Sequence, residues 1–219
     1  MELRASKPVL FPAFCDEERY SRQILFKQIG EEGQKLLAGS RVVMVGCGAT
    51  GSALCSLLAR SGVGSIRVVD RDYVEASNLQ RQSLFDENDA RESVPKAIAA
   101  CRQIARFNSA IAVDPQVADL TPQSVETLLA GIDLILDGTD NFETRYLIND
   151  YAVKNSVPWI YSAAVGSYAV TMNIIPGETA CLACIFPESP RGAVETCETA
   201  GILNSAVSLA ASIAATEAL

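Results

Sequence analysis

Histidine is absent from this 219-residue chain. Its absence removes the Ser-His-Asp triad, the Cys-His pair, the His-ligated metal and the His general base in one step. Whatever chemistry the chain carries must run on Arg, Lys, Asp, Cys, backbone amides and bound ions. Runs of basic residues are absent as well. Lys+Arg 18 against Asp+Glu 26 leave a net charge of −8, which opposes a nucleic-acid partner or an anionic membrane surface. Long apolar runs are missing too: the uncharged stretches 155–177 and 202–216 are interrupted by Pro158 and Gly166, and by Asn204, Ser205, Ser208 and Ser212. Such stretches suit core elements and not membrane spans. The first residues carry Glu2, Pro8 and Pro12 without the unbroken apolar centre of a signal peptide, so 1–15 reads as a flexible arm.

What is present is a chain that is 49% hydrophobic, enough for one domain over 16–219 that buries roughly 70–75% of its unfolded surface. Seven cysteines, an odd number, include Cys47, Cys55 and Cys101 inside apolar periodic segments. There a small buried thiol in a reducing cytoplasm is the expectation. The pattern alternates strand and helix. A first helix with Asp16 as its cap and a further turn or two to Leu37 precede a β-branched strand at 41–45, a small-residue helix at 49–60 and a strand at 65–70. After an irregular polar segment come a helix at 96–107, a strand near 111–117 and a helix opened by Thr121 and Pro122. The apolar strand 133–137, a helix at 142–154, and strands at 159–163 and 168–175 about a turn at Gly166 follow. The stretch 181–199 reads as loop, and the chain ends in an Ala/Ser-rich helix. This order predicts a Rossmann-like, doubly wound, mainly parallel sheet with additional antiparallel strands at its far side.

The chemistry lies at the ends of the strands. Gly46-Cys47-Gly48-Ala49-Thr50-Gly51 is a G-x-G-x-x-G between a predicted strand and a predicted helix. Gly46, Gly48 and Gly51 permit a tight turn, close approach of backbone to phosphate and close helix packing, and the helix N-terminus presents unpaired N–H groups to an anion. Asp70, nineteen residues past Gly51 at the end of the next strand, is placed to accept from both ribose hydroxyls. NAD(P) and ATP both satisfy these groups. Arg81 in Ser77-Asn78-Leu79-Gln80-Arg81-Gln82, Lys96 after Pro95, and Asp140 in Asp137-Gly138-Thr139-Asp140-Asn141 favour ATP. Two cations suit a triphosphate and a hard oxygen suits Mg²⁺.

Together with Arg19-Tyr20-Ser21-Arg22-Gln23 and Asp70-Arg71-Asp72, these motifs make the chain from Glu17 onward resemble the MoeB/ThiF/HesA family, which is similar to the ubiquitin-activating enzymes. The resemblance implies ATP-dependent adenylation of the C-terminal glycine of a ubiquitin-like sulfur-carrier protein ending in Gly-Gly, with release of pyrophosphate. Molybdopterin, thiamin or a related thio-compound would be the beneficiary. It also implies that Gly48 lies near the phosphates and that Asp70 binds ribose. Asn78, Arg81 and Lys96 would contact the triphosphate, and Asp140 would hold Mg²⁺. Arg22 would reach the nucleotide of the opposite subunit, which makes the active unit a homodimer. Ala49-Thr50 stands where many relatives carry Gly-Leu, a small change at a helix start.

Cys181-Leu182-Ala183-Cys184 has the form of half a tetrahedral Cys₄ zinc site. Relatives place a second CxxC beyond the last helix, so an incomplete C-terminal end at Leu219 is expected. Cys197 precedes that helix, where a thiol gains thiolate character, although Glu195 and Glu198 oppose it. Some family members use a cysteine at this position to receive the carrier as a thioester or acyl-disulfide, whereas MoeB-like members stop at the adenylate. Three rivals remain: an NAD(P)-dependent oxidoreductase, which gives Arg81, Lys96 and Asp140 no common task; a catalytically silent partner-binding subunit, which would not need the polar nucleotide set; and a tRNA-modifying dehydratase of the same superfamily, which −8 does not suit.

Overall fold

A strand made of Val, Val, Met and Val can be buried on both faces only if helices cover both sides of its sheet. The computed structural model, which describes residues 16–188 and 199–219, shows this arrangement. β1 (Arg41–Val45) is central, with all four apolar residues buried. Around it lies a six-stranded sheet in the order β3-β2-β1-β4-β5-β6, formed with β2 (Ser65–Val69), β3 (Ala112–Gln116), β4 (Leu134–Asp137), β5 (Trp159–Val165) and β6 (Tyr168–Ile174). β1 to β5 run parallel, and β6 alone joins antiparallel, after the turn at Gly166. Val45 pairs with Val69 on one side and Asp137 on the other, so three strands end level and release their loops on one edge of the sheet.

Alternation along β1 divides the core. Val42 and Met44 face α3 (Ala49–Ser61), α5 (Lys96–Phe107) and α9 (Asn204–Ala218), with Leu54, Leu58, Ile104 and Ala211 buried there. Val43 and Val45 face α6 (Val125–Leu128) and α7 (Phe142–Asn155), with Leu129, Ile148 and Trp159. Each such large side chain contributes about 1.5–3 kcal/mol by burial. α1 (Asp16–Ile24) and α2 (Gly30–Gly39) pack together at the far end of α3. The seat of α1 is Gly62, which caps α3 at φ +87° and where a Cβ would lie 2.7 Å from the Tyr20 ring.

Three segments depart from expectation. Thr121 and Pro122 do not open a helix directly. Thr121 Oγ1 accepts from the Ser124 N–H and the Ser124 hydroxyl donates to Asp119 O, so a turn intervenes and α6 starts at Val125. The polar segment after β2 contains a 3₁₀ turn at Ala76–Asn78 and α4 (Glu87–Arg91), whose first N–H groups are capped by Asp86. Within the expected loop after 181, Leu182 is fully buried and starts the single turn α8 (Leu182–Ile185). Among the described residues no helix is long and apolar enough to cross a membrane.

Candidate active site

The loop after β1 and the loop after β4 are pressed backbone to backbone. Gly46 has φ +84°, and a Cβ on it would lie 2.8 Å from Gly138 O; one on Gly51 would lie 1.9 Å from Gly46 O. Gly48 differs, because a Cβ there would meet Gly138 O at 3.9 Å, ordinary contact. Packing within the protein therefore explains Gly46 and Gly51. Packing does not explain Gly48, and the space beside it at the start of α3 is where the motif would let a ligand approach the backbone.

Asp70 follows β2 and is only 8% exposed. Its Oδ2 accepts from the Cys47 N–H at 2.6 Å and its Oδ1 from the Asp72 N–H at 2.7 Å. Burial pushes its carboxyl up, against those N–H groups and the Lys96 ammonium. Each oxygen retains a further lone pair, so Asp70 can fix the glycine loop and still accept from a ribose. Lys96 is the first residue of α5 and is 7% exposed, with Nζ 3.1 Å from Asp72 Oδ2. A buried ammonium at the positive end of a helix is unfavourable without an anion. Asp72 supplies one here, and a phosphate could take its place.

The SNLQRQ run is more structural than its motif implies. Asn78 accepts from the Glu75 N–H through Oδ1 and closes the 3₁₀ turn, while its amide Nδ2 has only Ser77 Oγ at 3.5 Å. Arg81 donates from Nη1 to Ser77 O at 2.8 Å. Asp140 is exposed on the turn after β4, one residue before Asn141, whose side chain accepts from the Thr144 N–H at 2.9 Å and caps α7. Asp70, Lys96 and Asp140 thus follow strand ends or open helices on one edge of the sheet.

Arg22 is not on that edge. α1 is held to the opposite end of α3: Gln23 donates to Ser61 O at 2.8 Å, Arg19 to Phe107 O at 2.6 Å, and Tyr20 Oη accepts from Asn108 at 2.8 Å. The 13 residues of α3 put about 20 Å between that end and the glycine loop. Arg22 itself is exposed.

Sequence reasoning missed Arg145. Asp137 is fully buried at the end of β4, with Arg145 Nε 3.2 Å from its Oδ2. Burial pushes the Asp137 carboxyl up, against Arg145 and Thr139. The signal was legible: an acid ending a strand buried on both faces needs a partner.

The Cys181 and Cys184 sulfurs lie 3.6 Å apart, close to the ~3.8 Å edge of a tetrahedron with Zn–S bonds of about 2.3 Å. Burial pushes the Cys181 thiol up, but hydrogen bonds from Cys184, Ala183 and Asn149 outweigh it and hold the thiol below its ordinary value. Among the described residues no group of three or more His, Cys, Asp or Glu could hold a metal. Cys197 lies in 189–198, outside the described residues.

A family model described as the ThiF family matches residues 20–219. The sulfur carrier protein ThiS adenylyltransferase of Bacillus subtilis (strain 168) is 47% identical over 201 residues, covering 92% of this chain and 60% of that protein. The SAMP-activating enzyme E1 of Haloferax volcanii is 38% identical over 203 residues, covering 92% and 74%. Among solved structures, E. coli MccB with ATP superposes with a TM-score of 0.78 at 27% identity, covering 91% of this chain and 62% of that one. The chain thus spans about three fifths of the length of the Bacillus and MccB relatives.

Proposed function

This chain belongs to the ThiF family, and we propose that it adenylates the C-terminal glycine carboxylate of a ubiquitin-like sulfur-carrier protein. The relatives named as activators of sulfur carriers motivate the substrate, and the strand-end edge of the sheet carries the groups for the chemistry. The single observation with most weight is the convergence of the glycine loop, Asp70, Lys96 and Asp140 on one edge of the sheet.

In the reaction a carboxylate oxygen of the carrier bonds to the α-phosphorus of ATP as the bond to the pyrophosphate oxygen breaks. The products are an acyl-adenylate and pyrophosphate. No general base is required, because a terminal carboxylate is already ionised at neutral pH. Catalysis is therefore positioning and charge stabilisation. The α3 N-terminus receives phosphate, Asp70 orients ribose, and Lys96 and Arg81 face the triphosphate. Mg²⁺ binds through one or two carboxylates together with phosphates and water, and exposed Asp140 fits that requirement. Asp140 would hold the ion, which would supply positive charge beside the pyrophosphate.

Arg22 completes the site of a partner subunit in a homodimer; the supporting observation is that the glycine loop of its own chain lies a helix length away. Exposed Leu25, Phe26 and Leu36, at 70%, 56% and 74%, lie on or beside the same helix pair and suit an interface. Cys181 and Cys184 form half of a zinc site. The free thiols Cys47, Cys55, Cys101, Cys181 and Cys184 fit a reducing cytoplasm.

The test is pyrophosphate exchange into ATP with candidate Gly-Gly-ended carriers. Exchange should require the carrier's terminal carboxylate and should fall about 10²-fold or more in Asp140→Ala and Arg81→Ala. Carrier-independent exchange, or normal exchange in both folded variants, would remove the proposal.

A further inference from the structure

Among the described residues, Asp137 and Arg145 are the most deeply buried charged side chains, at 0% and 6% exposure, and adenylation as drawn uses neither. The Arg145 guanidinium sits over the Phe142 and Tyr161 rings, 5.3 and 5.1 Å from their centroids. From there it makes two directed contacts: Nε with Asp137 Oδ2 at 3.2 Å, and Nη2 donating to Thr139 O at 2.6 Å. Asp137 Oδ1 accepts from both the N–H and the hydroxyl of Thr139, at 2.8 and 2.7 Å. Between them the Gly138 N–H donates to Val45 O at 2.8 Å. Every polar group of Asp137 and Thr139 that faces the turn is thus tied into one closed network.

Asp140 follows immediately. On its other side Asn141 is fixed as the cap of α7. Asp140 is therefore an exposed carboxylate strung between two pinned points, one of which is a carbonyl held by Arg145. We infer that Arg145 is a positioning residue that fixes the backbone of Thr139 so that the Asp140 carboxylate meets the metal-nucleotide at the strand-end edge of the sheet. The inference rests on the adenylation reading of Asp140. The fork of the guanidinium is essential to it, because a lysine presents a single point charge and cannot hold Asp137 and the Thr139 carbonyl in the same geometry.

The decisive variant is Arg145→Lys, which keeps a cation against Asp137. Calorimetric ATP binding is measured with Mg²⁺ and with EDTA, in this variant, in Asp140→Ala and in the double variant. Groups behind a metal ligand characteristically change metal affinity by about 10–100-fold. Arg145→Lys should accordingly raise the Mg²⁺ concentration that half-saturates ATP binding by about 10-fold or more, while metal-free ATP affinity stays within about twofold. It should add nothing to Asp140→Ala, because contacts acting through one group are not additive. Amide exchange at Thr139 and Asp140 should quicken in the ligand-free variant. If Arg145→Lys does not fold, Asp137→Asn with Arg145→Met carries the same comparison without an unpaired buried charge. Equal losses with and without Mg²⁺, or full additivity with Asp140→Ala, would overturn the positioning role and leave adenylation standing. Unchanged Mg²⁺ dependence in Asp140→Ala would instead overturn the reading of Asp140 and this inference with it.

Discussion

Mixing two inactive proteins should restore activity if each site is shared between subunits. The perturbation is Arg22→Ala in one preparation and Asp140→Ala in the other. The structure gives the reason: α1 is bound to the C-terminal end of α3 by Gln23, which donates to Ser61 O, and by the Tyr20 ring packed on Gly62, and the glycine loop lies at the N-terminal end. The 13 residues of α3 make that separation about 20 Å, more than an arginine side chain can span. Each parent should lose about 10²-fold, the scale for removing one preorganised charge. With free exchange at equal amounts, about half of the dimers are mixed, and each mixed dimer has one site with both groups and one with neither. Recovery should therefore approach about a quarter of wild-type pyrophosphate exchange. Subunit exchange is followed separately by capture through a tag on one variant. Mixed dimers that form and stay as inactive as the parents, or a chain that is monomeric and active, would refute the reasoning.

The remaining predictions concern the nucleotide and the loop that receives it. ATP with Mg²⁺ should raise the melting temperature and NADH should not, the stabilisation being about 2.7 kcal/mol at ~100-fold excess over Kd; a shift with NADH alone would restore the oxidoreductase reading. Gly51→Ala places a Cβ 1.9 Å from Gly46 O and should lower ligand-free stability by about 1–3 kcal/mol in urea titrations. Gly48→Ala should disturb the ligand-free protein less and weaken ATP binding more relative to its stability loss, and the reverse order would contradict the assignment. Burial raises the Asp70 carboxyl, so its contribution to stability is greatest below its unfolded pKa and is lost as pH rises through the folded one. In calorimetry, the melting temperature of Asp70→Asn relative to wild type should therefore climb as pH is raised from just below the ordinary carboxylate value of about 3.9 upward; a relative fall would show that the two N–H bonds outweigh burial.

Much of the fold was legible because its signals are local. The Val-rich β1, the glycine loop and the apolar β4 each announce a strand buried on both faces or a strand-to-helix turn, whatever surrounds them. Asp70 and Lys96 could be placed from sequence because strand ends and helix starts fall on one edge of a parallel sheet. The one-turn α8 was not legible, since four residues carry no periodicity and Leu182 is held by burial and by Asn149 on α7.

The sequence by itself determined which groups stand together in the motifs: a glycine loop between strand and helix, an acid at the end of the next strand, two cations further on, and no histidine. Only the tertiary structure decided how those groups are held. It showed Asp72 standing as the counter-charge to Lys96, Asn78 closing a turn through its Oδ1, Arg22 a helix length from the glycine loop of its own chain, and Arg145 clamping the turn that carries Asp140. The physical reason is range. Propensity, caps and glycine geometry act over a few residues, whereas a buried charge takes its partner from whichever element folding brings beside it.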